Sequence, residues 1–329
     1  MAVSAISALP RFALSTVPTP LVRAERLGRA LGCPSLHVKR DDLIGFAVAG
    51  AKTRLLEHLI GDALEQNCTT LLTGGGAASS YCAGAAVAAA MAGLRCVLVI
   101  YGDVSHRVHP NLALAKVAGA TVHFTGEASR ESVDAALLSV EADLRGCGER
   151  PYLVPRGGAS GIAAAGFANA AGELKAQLAD TGIATATVLV ATGSGTTQAG
   201  LVAGSVVARC DWQVVGASVS RPPAEARAQV QRLATEVTTL LGAPAPDPTQ
   251  IDLRDARGDG YGVPSAAGEQ MARLALHTAG LVLDPIFTAK ALAILPTLIA
   301  DGARDPIVFW HTGGIPVALA HLMGEDSPT

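Results

Sequence analysis

The segment Ala-Thr-Val-Leu-Val-Ala-Thr-Gly-Ser-Gly-Thr-Thr at positions 186–197 constrains this chain more than any other. Positions 188–191 form a short aliphatic run of the kind that makes a buried strand. Positions 192–197 carry only small and hydroxyl side chains, and 198–208 read as a helix rich in Ala, Leu and Val. A strand, a tight turn and a helix start together make an anion site. The turn amides point at the ligand, the helix dipole favours negative charge, and hydroxyls add donors. Gly193, Ser194, Gly195, Thr196 and Thr197 are the residues that would form it. An ordinary βα turn needs no such run, and the hydroxyls tip the reading toward phosphate.

The same residues disfavour two common phosphate ligands. A P-loop ends in Gly-Lys-Ser/Thr, whereas this turn ends Thr-Thr-Gln with no lysine. A dinucleotide fingerprint needs Gly-x-Gly-x-x-Gly and an acid about 20 residues on. Gly193 and Gly195 fit, but the third position is Gln198, and Asp211 precedes Trp212, a poor strand start. A small monophosphate suits the turn better than a nucleotide.

The 329 residues suggest two domains or one large α/β unit. Half are hydrophobic and 16% are charged, which allows a large core and excludes a disordered chain. A net charge of −3 with scattered Lys and Arg leaves no footprint for nucleic acid. The longest apolar stretch, 81–94, is mostly Ala and Gly and is closed by Arg95. It is too short and too weakly hydrophobic to span a membrane, and reads as a closely packed buried helix. The first ten residues lack the positive and Leu-rich parts of a signal peptide. Cys33, Cys68, Cys82, Cys96, Cys147 and Cys210 form no Cys-x-x-Cys and read as reduced, mostly core thiols of a cytoplasmic protein. His106 and His109 have a metal-like spacing but no third ligand, so they read as a solvated loop, and no metal is expected.

Short strands read at 36–39, 69–73, 96–100, 121–124, 152–154, 188–191, 213–218 and 306–310. Helices read between them at 53–66, 81–92, 111–117, 131–144, 162–179, 198–208, 224–241, 265–278 and 288–301. In the first of these, Leu55, Leu56, Leu59, Ile60 and Ala63 share one face. The alternation predicts an α/β fold of two open, mainly parallel sheets with helices on both faces. Residues 50–159 would form a small inserted domain, and 1–49 with 160–329 the larger, phosphate-binding one. The cleft between them would hold the active site.

Lys52 stands at the start of the helix at 53–66, where the dipole disfavours a cation. That dipole and an apolar setting lower its pKa, which suits an amine that forms a Schiff base. A reactive lysine and a lysine-free phosphate turn together point to pyridoxal 5'-phosphate. That cofactor needs an amine for its aldehyde and a cradle for its phosphate.

Longer matches extend this. They begin with Pro-Thr-Pro-Leu at 18–21, Lys39-Arg40-Asp41-Asp42, Gly-Ala-Lys-Thr-Arg at 50–54 and Pro-Arg-Gly-Gly-Ala at 155–159. After the turn at 191–197 come Gly-Tyr-Gly-Val-Pro at 260–264, Leu-Asp-Pro-Ile-Phe at 283–287 and His-Thr-Gly-Gly at 311–314. In this order the chain resembles the fold-type II pyridoxal-phosphate enzymes. The resemblance is to the family of 1-aminocyclopropane-1-carboxylate deaminase, D-cysteine desulfhydrase and L-cysteate sulfo-lyase, over nearly the whole length. The desulfhydrase branch is nearest, on Thr288 and Thr312. The resemblance implies that Lys52 is the Schiff-base lysine and that the 193–197 turn holds the phosphate. Thr312 and Thr288 would lie near the pyridine nitrogen, where a hydroxyl leaves it neutral and favours elimination. Ser79 aligns with the serine of the substrate loop, with Ser80 and Tyr81 beside it, and Tyr261 with one of two active-site tyrosines. A small amino-acid substrate and a homodimer are implied as well.

The departures bear on substrate. The family's Asn before the lysine is Ala51, its Gln-Ser-Asn-His loop reads Ala78-Ser79-Ser80-Tyr81, and its second tyrosine is Phe287. Ser79 and Ser80 can still hold a carboxylate, but a hydroxyl is missing at Phe287 and an imidazole at Tyr81. Each such proton-transfer group is typically worth about 10²–10⁴-fold. The expected reaction is therefore α,β-elimination from a small amino acid other than the family's usual ones. Lys52 would take the α-proton, with Ser79 and Tyr261 as the remaining catalytic side chains. β-Replacement by an added nucleophile, and a cofactor-binding protein that has lost catalysis, stay open. A nucleotide-dependent enzyme is disfavoured by the turn.

Overall fold

A computed structural model describes residues 6–104 and 108–324 of the chain. Its strands are β1 (Leu21–Arg23), β2 (His37–Arg40), β3 (Thr70–Gly75), β4 (Arg95–Ile100) and β5 (Thr121–Phe124), followed by β6 (Pro151–Leu153), β7 (Thr185–Thr192), β8 (Asp211–Ser218), β9 (Ile251–Asp255) and β10 (Ile307–His311). Its helices begin with α1 (Glu25–Ala30), α2 (Lys52–Glu65), α3 (Ser80–Met91), α4 (Pro110–Val117), α5 (Ser132–Gly146) and α6 (Gly161–Asp180). They continue with α7 (Thr196–Ala208), α8 (Pro223–Leu240), α9 (Ala266–Ala279), α10 (Thr288–Ala293), α11 (Leu295–Ala300) and α12 (Ile315–Leu322).

The strands form two sheets, of order β1-β2-β10-β7-β8-β9 and β5-β4-β3-β6. Only β1 with β2 is antiparallel, and every other pairing is parallel. Parallel neighbours need long crossovers, and the helices supply them while covering the sheet faces. The central strands are accordingly buried runs, with Val188, Leu189 and Val190 beside Val308, Phe309 and Trp310. The chain is thus the α/β fold that the alternation predicts. The carboxyl ends of β2, β7, β8 and β10 share one edge, where ligands of open α/β sheets bind.

The abundance of Ala and Gly has a packing reason. A Cβ on Gly200 of α7 would lie 2.1 Å from the Ala164 carbonyl oxygen of α6, so the two helices meet backbone to backbone there. The stretch at 81–94 is helical only to Met91, with Tyr81 to Ala86, Ala88 and Ala89 buried, and 92–94 lead out of α3.

Several expectations need correction. The helix α2 is not one-faced: Thr53 to Gly61 and Ala63 are all buried. The segment at 10–15 covers the side that periodicity leaves to water. The Glu57 carboxylate accepts from the amides of Leu14 and Ser15, each at 2.8 Å, and the His58 ring lies 2.9 Å from the Pro10 carbonyl. The helix read at 288–301 is two helices broken at Ile294, because Pro296 cannot donate the amide that continuation needs. Asp211 begins β8 rather than preceding it. It lies at the end of that strand away from the phosphate turn, so it cannot act as a fingerprint acid. His109 is 5% exposed, with its Nδ1 accepting the Asn111 amide at 3.1 Å, and is not solvated. His106 lies outside the described residues. All six cysteines are free, but only Cys33, Cys82 and Cys96 are buried. No described helix is long and apolar enough to cross a membrane, and no described group of three or more His, Cys, Asp or Glu could hold a metal.

The charged run at 39–42 goes inward. Arg54 donates to both Asp41 oxygens at 2.8 Å and to Glu173 at 3.0 Å. Lys39 pairs with Glu173 and donates to Gln177 at 2.7 Å, and Trp310 donates to Asp41 at 2.8 Å. This network ties β2, α2, α6 and β10 together two residues beyond Lys52.

Candidate active site

Lys52 is the first residue of α2, whose preceding residue, Ala51, offers no side-chain cap. The helix start is pinned to the end of β10. The Ala51 amide donates to the Thr312 carbonyl at 3.0 Å, and Gly50, at φ +56°, packs on the same oxygen. Among the described residues, Lys52 Nζ has no hydrogen-bond or ion-pair partner. Burial lowers its pKa from 10.5 to about 8, and the Asp284 carboxylate works against that shift.

Asp284 was missed in the sequence. It is 2% exposed, and its oxygens accept from the amides of Ile286 at 3.0 Å, Phe287 at 2.7 Å and Thr288 at 3.0 Å. A Cβ on Gly314 would lie 2.7 Å from it, so Asp284 also packs on the turn after β10. The Thr288 hydroxyl donates to Asp284 at 2.6 Å and is fully buried. Thr288 therefore braces a carboxylate rather than standing free in the cleft. Thr312 is half-buried beside Gly50.

The turn after β7 starts α7 with Gly195 at φ +90° and no side-chain cap. The amides of its first turn are therefore open to an anion. The Ser194 and Thr196 hydroxyls lie 3.0 Å apart, and Thr196 also donates to the Gly158 carbonyl at 3.3 Å. Thr197 is 7% exposed. Gln198 is a brace, bonded to Thr192 at 2.9 Å and to the Asp252 carbonyl at 2.9 Å.

Phe287 joins the two halves of the site. Its ring would meet a Cβ on Gly193 at 3.0 Å, and it sits edge-on to Tyr261 with centroids 6.2 Å apart. Arg130 lies over the Tyr261 ring at 5.0 Å and donates to Ser220 at 2.7 Å, while Arg221 donates to the Gly193 carbonyl at 2.8 Å. Burial raises the Tyr261 pKa, and Arg130, Arg156 and Arg221 oppose it. Arg156 stands in the 155–159 motif, whereas Arg130 and Arg221 carry no local sequence signal.

Ser79 caps α3, its Oγ accepting the Cys82 amide at 3.2 Å. Asn111 of α4 holds the loop by donating to the Ala78 carbonyl at 2.8 Å. Ser80 is half-buried at the first position of the helix. Tyr81 does not face the cleft: it is 2% exposed and its hydroxyl lies 3.1 Å from Thr73 in β3. Position 81 follows the cap by two residues, which turns it under the helix against the sheet.

An unpartnered buried lysine and an uncapped helix start, joined through Asp284 and Phe287, fit an aldehyde that carries a phosphate. Lys52 would hold the aldehyde carbon, and Gly193 to Thr197 the phosphate. The comparisons agree on the cofactor. Residues 13–313 match the family described as "Pyridoxal-phosphate dependent enzyme". A candidate 1-aminocyclopropane-1-carboxylate deaminase of Pyrococcus abyssi is 35% identical over 318 residues, covering 94% of this chain and 93% of that one. A D-cysteine desulfhydrase of Salmonella choleraesuis is 32% identical over 324 residues, covering 96% and 97%. The solved structure of an ACC deaminase homologue superposes with TM-score 0.91 at 30% identity, covering 98% of this chain and 97% of that one. The chain belongs to the pyridoxal-phosphate dependent enzymes of fold type II, and its cofactor is pyridoxal 5'-phosphate.

Proposed function

We propose that this chain is a lyase acting on a small amino acid by α,β-elimination, with a substrate loop altered from that of its relatives. One chain of interactions supports the reading: the Asp284 charge acting on the Lys52 amine, Asp284 holding the Phe287 amide, and the Phe287 ring against Gly193.

When bound, pyridoxal phosphate supplies an electron sink that acidifies the substrate Cα–H. The chain's own residues do the rest. Lys52, with a value near 8, is neutral often enough near physiological pH to act as a base at Cα. The Ser79 oxygen is occupied by the Cys82 amide, which leaves its O–H to donate to a substrate carboxylate. The start of α3 adds amides and a favourable dipole for that carboxylate, with Ser80 beside it. Thr312 adjoins the lysine at the end of β10. Tyr261 offers a phenol for proton handling, and Phe287 lines the wall with carbon where its relatives carry a hydroxyl.

The test is an absorbance scan of the cofactor-loaded chain against D- and L-amino acids, followed by product analysis with and without an added thiol. Keto acid and ammonia, independent of thiol, support elimination. A new carbon–sulfur product points to replacement, and absence of cofactor uptake sinks both.

A further inference from the structure

The chain has four tyrosines. Two are committed: Tyr81 to Thr73, and Tyr152 to Asp62. The hydroxyls of Tyr101 and Tyr261 have no hydrogen-bond partner among the described residues.

Tyr101 is the first residue beyond the carboxyl end of β4, and its amide donates to the Gly75 carbonyl at 3.2 Å. Its ring is half-buried against the core of the smaller sheet. Its hydroxyl lies over Gly76, where a Cβ would stand 2.6 Å away. Gly76 is not in the left-handed region, so what its bare Cα admits is this phenol. The Ser79 amide donates to the Gly76 carbonyl at 3.0 Å, so Tyr101 overlies the loop that carries Ser79. The cleft thus has a second phenol where Phe287 has none.

We propose that Tyr101 is a catalytic acid of this enzyme, donating its proton to the group that leaves Cβ. This rests on the elimination reading above. Lys52 takes the α-proton, and the C–H electron pair becomes the Cα–Cβ double bond. The bond from Cβ to the leaving atom breaks with its pair on that atom, which takes the Tyr101 proton. The tyrosinate then regains a proton from solvent, and the Lys52 ammonium returns one to solvent. Burial and the neighbouring Tyr261 push the Tyr101 phenol up to about 12 against Arg130 and Arg156, so it is protonated at neutral pH, as an acid must be.

The test exploits leaving groups. Chloride departs without a proton, whereas the hydroxyl of serine and the thiol of cysteine need one or gain from one. The cofactor-loaded wild type, Tyr101→Phe and the control Tyr152→Phe are assayed on both enantiomers of β-chloroalanine, serine and cysteine. Tyr101→Phe is expected to lower kcat on the serine or cysteine that the wild type accepts by about 10²-fold or more, with KM held. Its elimination of chloride, and its exchange of the Cα proton with deuterated solvent, persist. Gly76→Ala, whose Cβ would press on the Tyr101 hydroxyl at 2.6 Å and on its ring at 2.9 Å, gives a similar loss that does not add to that of Tyr101→Phe. In the cofactor-free chain, hydroxyl-radical footprinting marks Tyr101 above Tyr81.

Equal losses on all substrates, no loss on any, or a wild type that eliminates chloride alone each overturn the assignment to Tyr101 and leave the lyase reading standing. A cofactor-loaded wild type that eliminates nothing from either chloroalanine overturns the lyase reading and this assignment with it.

Discussion

Gly50 and Thr312 touch so closely that a Cβ on the glycine would lie 2.2 Å from the threonine carbonyl oxygen, the same oxygen that the Ala51 amide reaches at 3.0 Å. The reactive helix start is thereby set by a strand end more than half the chain away, and Gly50 is the tolerance in that fit.

Gly50→Ala is expected to lose cofactor while remaining soluble. The φ of +56° alone costs a β-carbon about 1–3 kcal/mol, before the overlap with Thr312. Urea denaturation and visible absorbance check it. Normal cofactor retention at an unchanged midpoint would show that the contact does not set Lys52.

Borohydride reduction of the loaded protein should fix a pyridoxyl group to Lys52, and peptide mapping that finds it elsewhere refutes the assignment. Cofactor uptake should accelerate as pH rises through about 8, because burial holds the folded-state amine there rather than at 10.5. Between those values the unfolded chain keeps a proton that the folded chain has lost. For this group the stability of the cofactor-free chain therefore rises with pH across that window. A flat uptake profile counts against the shifted amine.

Gly195→Asp should abolish cofactor retention without unfolding the chain. Its φ of +90° starts α7, and a Cβ there would press on Gln229 and Val230 of α8 at 3.3 Å, so the variant displaces the turn whose amides would hold the phosphate. Wild-type affinity in this variant removes the turn from the site.

Asp41→Asn should cost less than the roughly 3–5 kcal/mol usual for breaking a buried pair, because Arg54 keeps Glu173 at 3.0 Å. Burial alone would raise the Asp41 pKa, but Arg54 and the bonds from Thr19 and Trp310 outweigh it and hold the carboxyl below its ordinary range. The stabilisation is present at neutral pH and is lost as pH falls through that lowered value. Urea midpoints measured down an acid series should converge for wild type and variant, and parallel curves would contradict the pairing.

Ser79→Ala and Tyr261→Phe should each cost at least about tenfold in turnover, the low side of a proton-transfer contribution. D-cysteine and 1-aminocyclopropane-1-carboxylate should be poor substrates, with Phe287→Tyr improving one of them. Wild-type turnover of either at about 1–10³ s⁻¹ would mean the loop changes are tolerated variation.

Legibility followed sequence distance. The turn after β7 and the helix start at Lys52 are local patterns, a strand or helix end with its flanking residues, and local spacing suffices to place them on those elements. The strand β9 escaped although Ile251-Asp252-Leu253-Arg254-Asp255 carries the alternation of a half-buried edge strand, because only two of its five residues are apolar. Asp284 could be read as part of a motif but not as a buried anion, because its partners are mainly backbone amides that any sequence supplies. Arg130 over Tyr261 and Tyr101 over Gly76 are meetings that only folding creates. Tyr81 misled because alignment says which residue replaces which, whereas a helical turn decides which way it points.

The place of β10 between β2 and β7 bears on how the chain is made. Trp310 and Asp41, which meet in the finished protein, are 269 positions apart. Until β10 docks, β2 and β7 have no common neighbour, and the Thr312 carbonyl is not in place against Ala51. Such distant pairings form slowly, because the loop must close before the contact returns any energy. Until β10 is seated between β2 and β7, Lys52 is an ordinary amine, and the setting proposed to trap the aldehyde is incomplete.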